Sequence, residues 1–434
     1  MRFHIWTEGC QMNEADSEKL AAGLAKLGWE ATAQPEDADL AVVNTCVVRQ
    51  KAEDRAAGYM WNLKRLKESR GGMQIAVMGC MVGPRTDDLR QRYPFVDVWA
   101  RPQSFEVIIR ALMPEGDLGG EFWPDTFPEP KGPTAFVPIV HGCNKFCTYC
   151  IVPYRRGREK SRSVDDIRRE VSSLARGGVR EVTLLGQTVE AYGKDLPVEG
   201  DRRPDLADLF ETLSHLPDIV RIRFLTSYPR DMTDRIIRSV GDLPKVCEHF
   251  NIPVQAGDND VLAQMRRGYT IEEYMECVGR IRAHVPNASL STDVIVGFCG
   301  ETAAQFQHTL DVLKDVRFDK VHVAAYSPRP GTIAWKHMED TLPLEEKMRR
   351  LHAVEALQAQ ISTEINERYL HSTQEVLVEG EKDGTFTGRN RANKLVHFTA
   401  EMPVSIGDLA GVRIDRTTPW SLQGELAGAG APVA

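Results

Sequence analysis

Apolar and polar positions alternate along residues 1–112 with two different periods. Short apolar runs predict buried strands at 2–6, 39–44 and 74–78. Between these runs, apolar residues recur at helical spacing, as in the predicted helix 16–27, where Leu20, Leu24 and Leu27 share one face. Because strands that alternate with helices form parallel sheets covered by those helices, residues 1–112 are predicted to fold as a doubly wound α/β domain.

The strand–helix rhythm returns after residues 113–133, a segment so rich in proline and glycine that it is predicted to be a linker. Six further strands are predicted, at 135–140, 181–185, 221–225, 249–254, 290–296 and 320–325. Helices are predicted to begin near Ser163, Leu206, Met232, Asp260 and Thr302. Six βα units are too few to close an eight-stranded barrel, so the sequence predicts a partial, open TIM-like barrel over 134–370, with an amphipathic outer helix at 343–370.

The pattern changes again after residue 370, where short alternating strands are separated by glycines. These strands are predicted at 375–379, 385–389, 394–399 and 409–415. Such a series favours a small antiparallel β-barrel, which we assign to residues 371–426. The alanine- and glycine-rich end at 427–434 is predicted to be a disordered tail.

The composition is that of a globular protein. Of 434 residues, 42% are hydrophobic and 27% charged, and no apolar run approaches the roughly 18 residues that a membrane span needs. No signal-peptide pattern opens the sequence, so we expect a cytoplasmic protein without a membrane partner. Nine cysteines in that compartment are expected to be metal ligands or buried thiols. A net charge of −8 argues against a protein that coats nucleic acid through bulk electrostatics.

Three cysteines, Cys143, Cys147 and Cys150, lie within eight residues directly after the predicted strand 135–140. Three thiolates leave one iron of a [4Fe–4S] cluster open, and an open iron can bind a small chelating molecule. The alternatives are half of a zinc site or three free thiols. A structural zinc needs four protein ligands, and no fourth Cys or His follows at short spacing. The spacing therefore favours a catalytic cluster, on the carboxyl-terminal face where such barrels hold their active sites.

Cys10, Cys46 and Cys80 each follow a different predicted strand of the first domain, by four, two and two residues. In open α/β sheets, the carboxyl ends of the strands meet at the edge where ligands bind. The alternative is three unrelated buried thiols, since cysteine is among the most buried residue types. Their shared topological position favours a second site of three thiolates.

Two basic segments stand out in a chain that is acidic as a whole. The first follows the cysteine loop and contains Lys145, Arg155, Arg156, Arg158, Lys160 and Arg162. Its place beside the cluster predicts phosphate binding by Arg155, Arg156 and Arg158, the alternative being a solvated basic loop. The second, with Arg389, Arg391 and Lys394, forms a basic edge of the predicted C-terminal barrel. Barrels of that size commonly bind oligonucleotides, although a purely structural cap is the alternative.

The motifs together resemble the methylthiotransferase family of radical S-adenosylmethionine (SAM) enzymes, in its MiaB subgroup. The residues that carry the resemblance are GCQMN at 9–13, NTCVVR at 44–49, GCM at 79–81, CNKFCTYCIVPY at 143–154 and RGRE at 156–159. Further matches are LLGQ at 184–187, PVQAG at 253–257, STDVIVGF at 291–298 and YSPRPGT at 326–332. The C-terminal barrel resembles the RNA-binding TRAM domain of that family. Thr188 and Cys299 depart from the subgroup's usual residues, but neither is a predicted cluster ligand.

The resemblance implies two [4Fe–4S] clusters, one on Cys143, Cys147 and Cys150 and an auxiliary one on Cys10, Cys46 and Cys80. Two SAM molecules per turnover are implied: one is cleaved reductively to a 5′-deoxyadenosyl radical, and one donates a methyl group to sulfur. Cofactors of this kind carry the chemistry, and the protein positions them. Residues that would contact SAM are Tyr149, Gly186, Gln187, Gln255, Asp293 and Val296, the alternative for the strand-end residues being simple packing.

The implied substrate is the N6-dimethylallyladenosine beside the anticodon of a tRNA, presented in a single-stranded loop. The implied reaction places a methylthio group at C2 of that base, with an electron-donor protein as reductant and an external sulfur source. Proteins read such splayed bases by stacking and edge contacts. Two alternatives stay open. One is a sister enzyme that acts on a ribosomal-protein aspartate or on threonylcarbamoyl-adenosine, and the other is a non-catalytic iron–sulfur RNA-binding protein.

Overall fold

The computed structural model describes residues 1–47, 50–115, 126–198 and 200–427. Its first domain contains five parallel strands, β1 (Arg2–Glu8), β2 (Glu30–Ala31), β3 (Leu40–Thr45), β4 (Gln74–Gly79) and β5 (Val98–Ala100). They form one sheet in the order β2-β1-β3-β4-β5. The helices of this domain are α1 (Gln11–Lys26), α2 (Gln50–Arg70), α3 (Asp87–Arg92) and α4 (Phe105–Leu112). The predicted doubly wound parallel sheet is confirmed.

Helix α1 begins earlier than the apolar periodicity indicated. It starts at Gln11 instead of near Asp16, and Cys10 is its N-cap residue. The Asn13 side chain accepts a hydrogen bond from the Cys10 backbone N–H at 3.3 Å, which stabilises the first turn. The prediction was wrong here because it rested on Leu20, Leu24 and Leu27, whereas the apolar contacts of the first turns come from Met12 and Ala15.

The central domain has six parallel strands in two groups. These strands are β6 (Thr134–Pro138), β9 (Glu181–Leu185), β10 (Arg221–Phe224), β11 (His249–Asn251), β12 (Ser289–Val296) and β13 (Lys320–Ala325), and the short pair β7 (Val140–His141) and β8 (Lys160–Ser161) follows β6. Strands β6, β9 and β10 form one sheet, β11, β12 and β13 another, and a parallel bridge between Ile222 and Val246 links them. The open, six-stranded barrel is therefore confirmed.

Helices connect and cover these strands. They are α5 (Val152–Arg156), α6 (Val164–Arg176), α7 (Leu206–Ser214), α8 (Asp234–Asp242), α9 (Asn259–Gln264), α10 (Ile271–His284), α11 (Ala303–Val316), α12 (Ile333–His337) and α13 (Leu344–Glu367). Every residue of β9 and β10 is buried, as expected for strands covered on both faces. The long helix predicted at 343–370 is α13, and its Val354 joins the main hydrophobic core. None of the helices within the described residues is long and apolar enough to cross a membrane.

The C-terminal segment closes into a five-stranded barrel. Its strands are β14 (Thr373–Lys382), β15 (Thr385–Asn390), β16 (Leu395–Thr399), β17 (Leu409–Thr417) and β18 (Ser421–Leu426), in the order β14-β15-β16-β18-β17. Strands β14 to β17 correspond to predicted strands. Strand β18 was not predicted, because only Leu422 of its first five residues is apolar. Of the predicted linker, residues 116–125 lie outside the described residues, as do residues 428–434 of the predicted tail.

The C-terminal barrel packs against the first residues of the central strands, the amino-terminal end of the open barrel. Arg221, the fully buried first residue of β10, donates to the backbone oxygens of Arg389 at 2.7 Å and Glu375 at 2.8 Å. Arg223 donates to the backbone oxygens of Asn390 at 2.7 Å and Arg391 at 2.9 Å. The cysteine loop lies at the opposite end of the strands, which separates the C-terminal barrel from it by the length of the central domain.

Candidate functional site

The Cys143–Cys150 loop lies at the carboxyl-terminal end of the open barrel, as predicted. It begins directly after β7, where Gly142 has φ +74° and packs so closely on the Arg158 carbonyl that a Cβ would not fit. At the middle of the loop, Thr148 donates its backbone N–H to the Met265 oxygen at 3.0 Å and its hydroxyl to the Gln264 oxygen at 2.9 Å. These contacts fix both halves of the loop to the ends of neighbouring elements.

The three thiols of this loop share a buried environment. Cys143 and Cys147 are buried and Cys150 is half-buried. Burial raises the pKa of Cys143 and raises the pKa of Cys150 to about 12. A cation opposes this effect: the Arg267 guanidinium Nη1 lies 3.3 Å from the Cys147 Sγ. The donor set is three sulfurs with a positive charge beside them, and this suits thiolates bound to a cluster.

Cys46 and Cys80 directly follow two residues that pair with each other across adjacent strands. Thr45 of β3 pairs with Gly79 of β4, and the Cys80 backbone N–H donates to the Thr45 oxygen at 2.8 Å. On the other side of β3, Thr45 pairs with Glu8, two residues before Cys10. The three cysteines are therefore brought to one edge of the sheet, as their positions after predicted strands indicated.

Two buried asparagines hold the Cys10 loop against the Cys46 loop. Asn13 Nδ2 donates to Asn44 Oδ1 at 2.9 Å and to the Thr45 oxygen at 3.2 Å. Asn44 Nδ2 in turn donates to the Asn13 oxygen and to Ser17 Oγ, both at 2.8 Å. Asn13 Oδ1 also lies 3.3 Å from the Cys10 Sγ. This network fixes the position of Cys10, which is otherwise exposed.

Arginines from the central domain reach into this edge of the first domain. Arg156 Nη2 donates to Asp16 Oδ2 at 2.8 Å, and both side chains are 2% exposed. Burial raises the pKa of Cys80, and the charge of Arg156 counteracts that rise. Arg155 packs on Gly83 and its charge interacts with Cys80, while Arg329 lies near Glu53 and interacts with Cys46. The second cysteine group is thus completed by cations of the other domain.

Among the described residues, no three His, Cys, Asp or Glu side chains stand close enough to hold a single metal ion. Neither cysteine group is therefore a ready-made site for one ion. The fit to [4Fe–4S] clusters rests on the donor types, on the shared edge or loop that each group occupies, and on the guanidinium groups beside the sulfurs.

The predicted phosphate contact of Arg156 is corrected by the structure. Its guanidinium is buried between the two domains and paired with Asp16, so it presents no surface to a phosphate. Arg155 is half-buried beside Cys80. Arg158 differs, because it is exposed and its guanidinium lies 4.5 Å from the centre of the Phe146 ring. Of the three arginines, Arg158 alone keeps an exposed side chain.

The basic edge of the C-terminal barrel is also corrected. Arg391 pairs with Glu248 at 2.7 Å and donates to the backbone oxygens of Pro244 and Val246. Lys394 pairs with Asp319 at 2.8 Å and has a side chain 10% exposed. Arg389 is 38% exposed and lies 3.8 Å from Glu379. The prediction assumed a free edge, whereas Arg391 and Lys394 attach the barrel to the central domain.

The predicted SAM contacts lie near the cysteine loop but in different environments. Gln187 follows the end of β9, and its Oε1 is buried without a hydrogen-bond partner among the described residues. Gly186 packs on the Val140 side chain, which leaves no room for a Cβ. The Tyr149 hydroxyl lies 3.4 Å from Arg267 Nη1. An unpaired buried acceptor at a strand end is what a bound ammonium group would satisfy.

The remaining predicted SAM contacts divide into two kinds. Gln255 has φ +70° and bridges to Val294, and its backbone N–H donates to the Asp293 oxygen at 2.9 Å. The Asp293 carboxylate lies 3.4 Å from Asn251 Nδ2. Val296 has no exposed surface and belongs to the main hydrophobic core, so the structure does not favour a SAM contact for its side chain.

Arg267, Asn13 and Asn44 are functional candidates that sequence reasoning missed. Asn13 and Asn44 stand within the quoted cysteine motifs, at a fixed distance from Cys10 and Cys46, but nothing in the sequence shows that their amides meet. Arg267 lies 120 residues from Cys147. The sequence marks Arg267 only as the second of two adjacent arginines before Gly268. That pattern also fits an ordinary surface turn.

Comparison with known protein families divides the chain into three matched regions. Residues 137–313 match the radical SAM superfamily, and residues 367–427 match the TRAM domain. Residues 2–101 match a family described as uncharacterized protein family UPF0004. The radical SAM and TRAM matches agree with the folds described above for the central domain and the C-terminal barrel.

Several relatives match nearly the whole chain, and all carry the name tRNA-2-methylthio-N(6)-dimethylallyladenosine synthase. The protein of Dehalococcoides mccartyi strain 195 is 44% identical over 426 residues, covering 98% of each chain. That of Roseiflexus sp. strain RS-1 is 46% identical over 431 residues, covering 98% of this chain and 90% of its own. That of Thermotoga petrophila is 42% identical over 435 residues, covering 98% and 97%.

Solved structures share the fold at low sequence identity. The radical SAM methyltransferase TsrM from Kitasatospora setae, solved with cobalamin and a [4Fe-4S] cluster bound, superposes with a TM-score of 0.58 at 12% identity over 77% of each chain. The cobalamin-dependent radical SAM enzyme OxsB gives a TM-score of 0.52 at 12% identity, over 72% of this chain and 51% of its own. These similarities support the fold of the chain.

Proposed function

The chain belongs to the family of tRNA-2-methylthio-N(6)-dimethylallyladenosine synthases, and from that premise we propose that it converts N6-dimethylallyladenosine in tRNA to its 2-methylthio derivative. As a radical SAM enzyme it uses SAM and a [4Fe–4S] cluster. That it holds two clusters, and which residues hold them, is part of the proposal. The core cluster is assigned to Cys143, Cys147 and Cys150, and the auxiliary cluster to Cys10, Cys46 and Cys80.

The observation that carries the proposal is the junction between the two cysteine groups. Arg156 follows Cys150 by six residues, and its guanidinium pairs with Asp16 and interacts electrostatically with Cys10 and Cys80. A single short helix, α5, therefore runs from one group to the edge of the other. Sulfur insertion needs both a radical source and a sulfur source near the same carbon atom, and two adjacent incomplete clusters meet that need.

Bound together, the core cluster and SAM supply a radical that can activate a carbon–hydrogen bond too weakly acidic for any general base. The protein's own residues orient SAM and exclude water. Gln187 Oε1 is suited to accept from the SAM ammonium group, since it is buried and unpaired among the described residues. Gly186 lets that strand end pack tightly against Val140, which keeps the acceptor in place.

At the auxiliary site the protein's role is to hold Cys10, Cys46 and Cys80 at one edge of the sheet. The Asn13–Asn44 amide pair fixes the exposed Cys10 relative to Cys46. The external sulfur source and the second SAM, which provides the methyl group, belong to this site in our proposal. The reductant is a separate electron-donor protein.

The tRNA enters from the carboxyl-terminal side of the barrel in this proposal, anticodon stem-loop first. Arg158 is suited to a backbone phosphate because it is exposed and lies within 15 residues of all three core cysteines. Its stacking on Phe146 restricts the guanidinium without using its charge. The family also carries a TRAM domain, here packed at the far end of the barrel strands.

Anaerobic incubation with reductant, SAM and tRNA, followed by nucleoside mass spectrometry, tests the proposal. Isopentenylated tRNA and the same tRNA without the isopentenyl group are compared side by side. Formation of the 2-methylthio nucleoside only from the isopentenylated tRNA is the expected result. Modification of threonylcarbamoyl-adenosine, or of a ribosomal protein added in parallel, would overturn the substrate assignment. The absence of any SAM cleavage would overturn the assignment of the chain as a radical SAM enzyme.

A further inference from the structure

Arg267 is a buried cation in direct contact with the core cysteine loop. Its side chain belongs to a residue only 6% exposed, on the turn that follows α9. Nη1 lies 3.3 Å from the Cys147 Sγ and 3.4 Å from the Tyr149 hydroxyl. Both of these partners belong to the Cys143–Cys150 loop.

The rest of the guanidinium is held rigidly by neutral groups. Nε donates to the Tyr269 hydroxyl at 3.0 Å, and Nη2 donates to the Pro253 oxygen at 3.2 Å. The Tyr228 and Tyr269 rings lie 5.1 and 5.2 Å from the guanidinium carbon. Contacts with the protein therefore fix the orientation of all three guanidinium nitrogens, and only Nη1 faces the Cys147 sulfur.

Among the described residues, no carboxylate pairs with this cation. Buried Arg156 pairs with Asp16, Arg162 with Asp166 and Arg350 with Glu301. In the part of the chain that the structure describes, the partners of Arg267 are instead hydroxyls, a backbone oxygen and a thiol. A buried charge without a counter-charge is strongly unfavourable, so the site is built for an anion at the position of the Cys147 sulfur.

We propose that Arg267 is the positioning residue of the core cluster, the counter-charge and hydrogen-bond donor that raises the cluster's reduction potential through Cys147. The inference rests on the proposed function, since it takes Cys143, Cys147 and Cys150 as cluster ligands. Reduction adds a negative charge to a cluster, and a fixed cation with an N–H bond to a ligand sulfur stabilises the reduced state more than the oxidised state. Easier reduction favours electron transfer to SAM.

The test uses the full-length chain with Cys10, Cys46 and Cys80 changed to alanine, which leaves only the core cluster. In this parent, Arg267→Gln and Arg267→Met remove the charge, and Arg267→Lys keeps it without the planar fork. Met also offers an apolar side chain for the space between Tyr228 and Tyr269, in case Gln is not tolerated. Iron is counted, and the cluster is titrated with dithionite and redox mediators while its electron paramagnetic resonance signal is recorded.

We expect each neutral variant to keep about four irons per chain. At a fixed solution potential, the ratio of reduced to oxidised cluster should be about tenfold lower than in the parent. This corresponds to a reduction potential lower by about 59 mV for a one-electron couple. The Lys variant is expected to shift less than the neutral variants. Loss of iron in both neutral variants with retention in the Lys variant also supports the proposal, because it shows that the charge is needed to hold the cluster.

Unchanged potentials in iron-loaded neutral variants would overturn the inference and leave the proposed function standing. Loss of iron in all three variants would also overturn it, because Arg267 would then act only in folding. A parent that binds no iron would refute the cluster assignment of the proposed function and the inference with it. Arg266→Gln in the same parent is the matched control: it removes the charge of the exposed arginine next to Arg267, and its potential should equal that of the parent.

Discussion

Arg156 of the central domain and Asp16 of the first domain form an ion pair of 2.8 Å in which both side chains are 2% exposed. Asp16 lies on α1, six residues after Cys10, and Arg156 ends α5, six residues after Cys150. The pair therefore joins the helix that follows one predicted cluster ligand to the helix that follows the other. The relative position of the two cysteine groups depends on a contact between residues 140 positions apart.

Removing one partner of this pair should destabilise the first domain. Asp16→Asn leaves the Arg156 charge buried without its counter-charge, which we expect to cost about 3–5 kcal/mol of unfolding free energy. Unfolding of the metal-free chain in guanidinium chloride, followed by tryptophan fluorescence, measures it, since Trp6, Trp29, Trp61 and Trp99 report on this domain.

Two controls separate the buried pair from a general charge effect. The double variant Asp16→Leu with Arg156→Met replaces both charges by apolar groups and should recover most of the lost stability. Asp165→Asn breaks the exposed pair with Arg168 and should leave the unfolding midpoint unchanged. An Asp16→Asn variant as stable as the wild type would show that solvent reaches Arg156.

The positions of the cysteines were predictable, but their neighbours were not. Each of Cys10, Cys46 and Cys80 follows a strand, and strand ends can be predicted from apolar runs because the topology of parallel sheets places those ends together. The Arg156–Asp16 pair could not be predicted from the sequence. A run of cations has the same local pattern whether its members face a phosphate or a buried carboxylate, and only the docking of two domains decides between them.

The same limit explains the C-terminal barrel. A basic edge with Arg389, Arg391 and Lys394 fits two structures equally well: an RNA-binding surface and an interface with an acidic neighbour. Glu248 and Asp319, the partners of Arg391 and Lys394, lie in other parts of the sequence and mark no motif. Sequence patterns therefore predicted the barrel's fold and not its exposed side.

The Cys10→Ala variant should separate the two proposed clusters. It removes a ligand of the auxiliary site only, so SAM cleavage to 5′-deoxyadenosine should continue while methylthio transfer is abolished. Iron and sulfide should fall from about eight to about four per chain after anaerobic reconstitution. Cys147→Ala is the matched comparison and should abolish SAM cleavage. Loss of SAM cleavage in Cys10→Ala would mean that the clusters are assigned to the wrong cysteines.

Gln187 should control SAM affinity through its buried oxygen. Gln187→Leu removes the acceptor, and we expect SAM to bind about tenfold more weakly, the loss of one hydrogen bond to a charged group. Gln187→Glu keeps an acceptor at the same place and should bind SAM within about threefold of the wild type. Equilibrium dialysis of the reconstituted chain gives both values. Equal affinity in the Leu variant would assign the ammonium group to another residue.

His249 should make stability depend on pH. Burial, together with the charges of Arg223, Lys394, Lys320 and Arg389, lowers the pKa of His249 to about 3, whereas an unfolded histidine titrates near pH 6.5. Between these values the unfolded chain binds the extra proton, so stability falls as the pH drops below 6.5. At pH 5 the loss from this group is about 2 kcal/mol.

The variant His249→Gln isolates that contribution. Its glutamine can still contact Ser291, which lies 3.1 Å from His249 Nε2, but it cannot bind a proton in this range. Urea unfolding at pH 7 and pH 5 should therefore show a smaller difference for the variant than for the wild type, by about 2 kcal/mol. The same difference in both chains would mean that His249 is solvated or protonated in the folded state.

Arg158, and not Arg156, should carry the electrostatic contact with tRNA. Charge reversal by Arg158→Glu should weaken tRNA binding, and more so at low salt, because each phosphate contact releases counterions. Arg168→Glu on the outer helix α6 is the matched control, an arginine of similar exposure that should leave tRNA binding unchanged. Affinities measured across a salt series give the slope of log Kd against log salt, which Arg158→Glu should reduce by about one. A slope equal to that of the wild type would place the phosphates on another part of the surface.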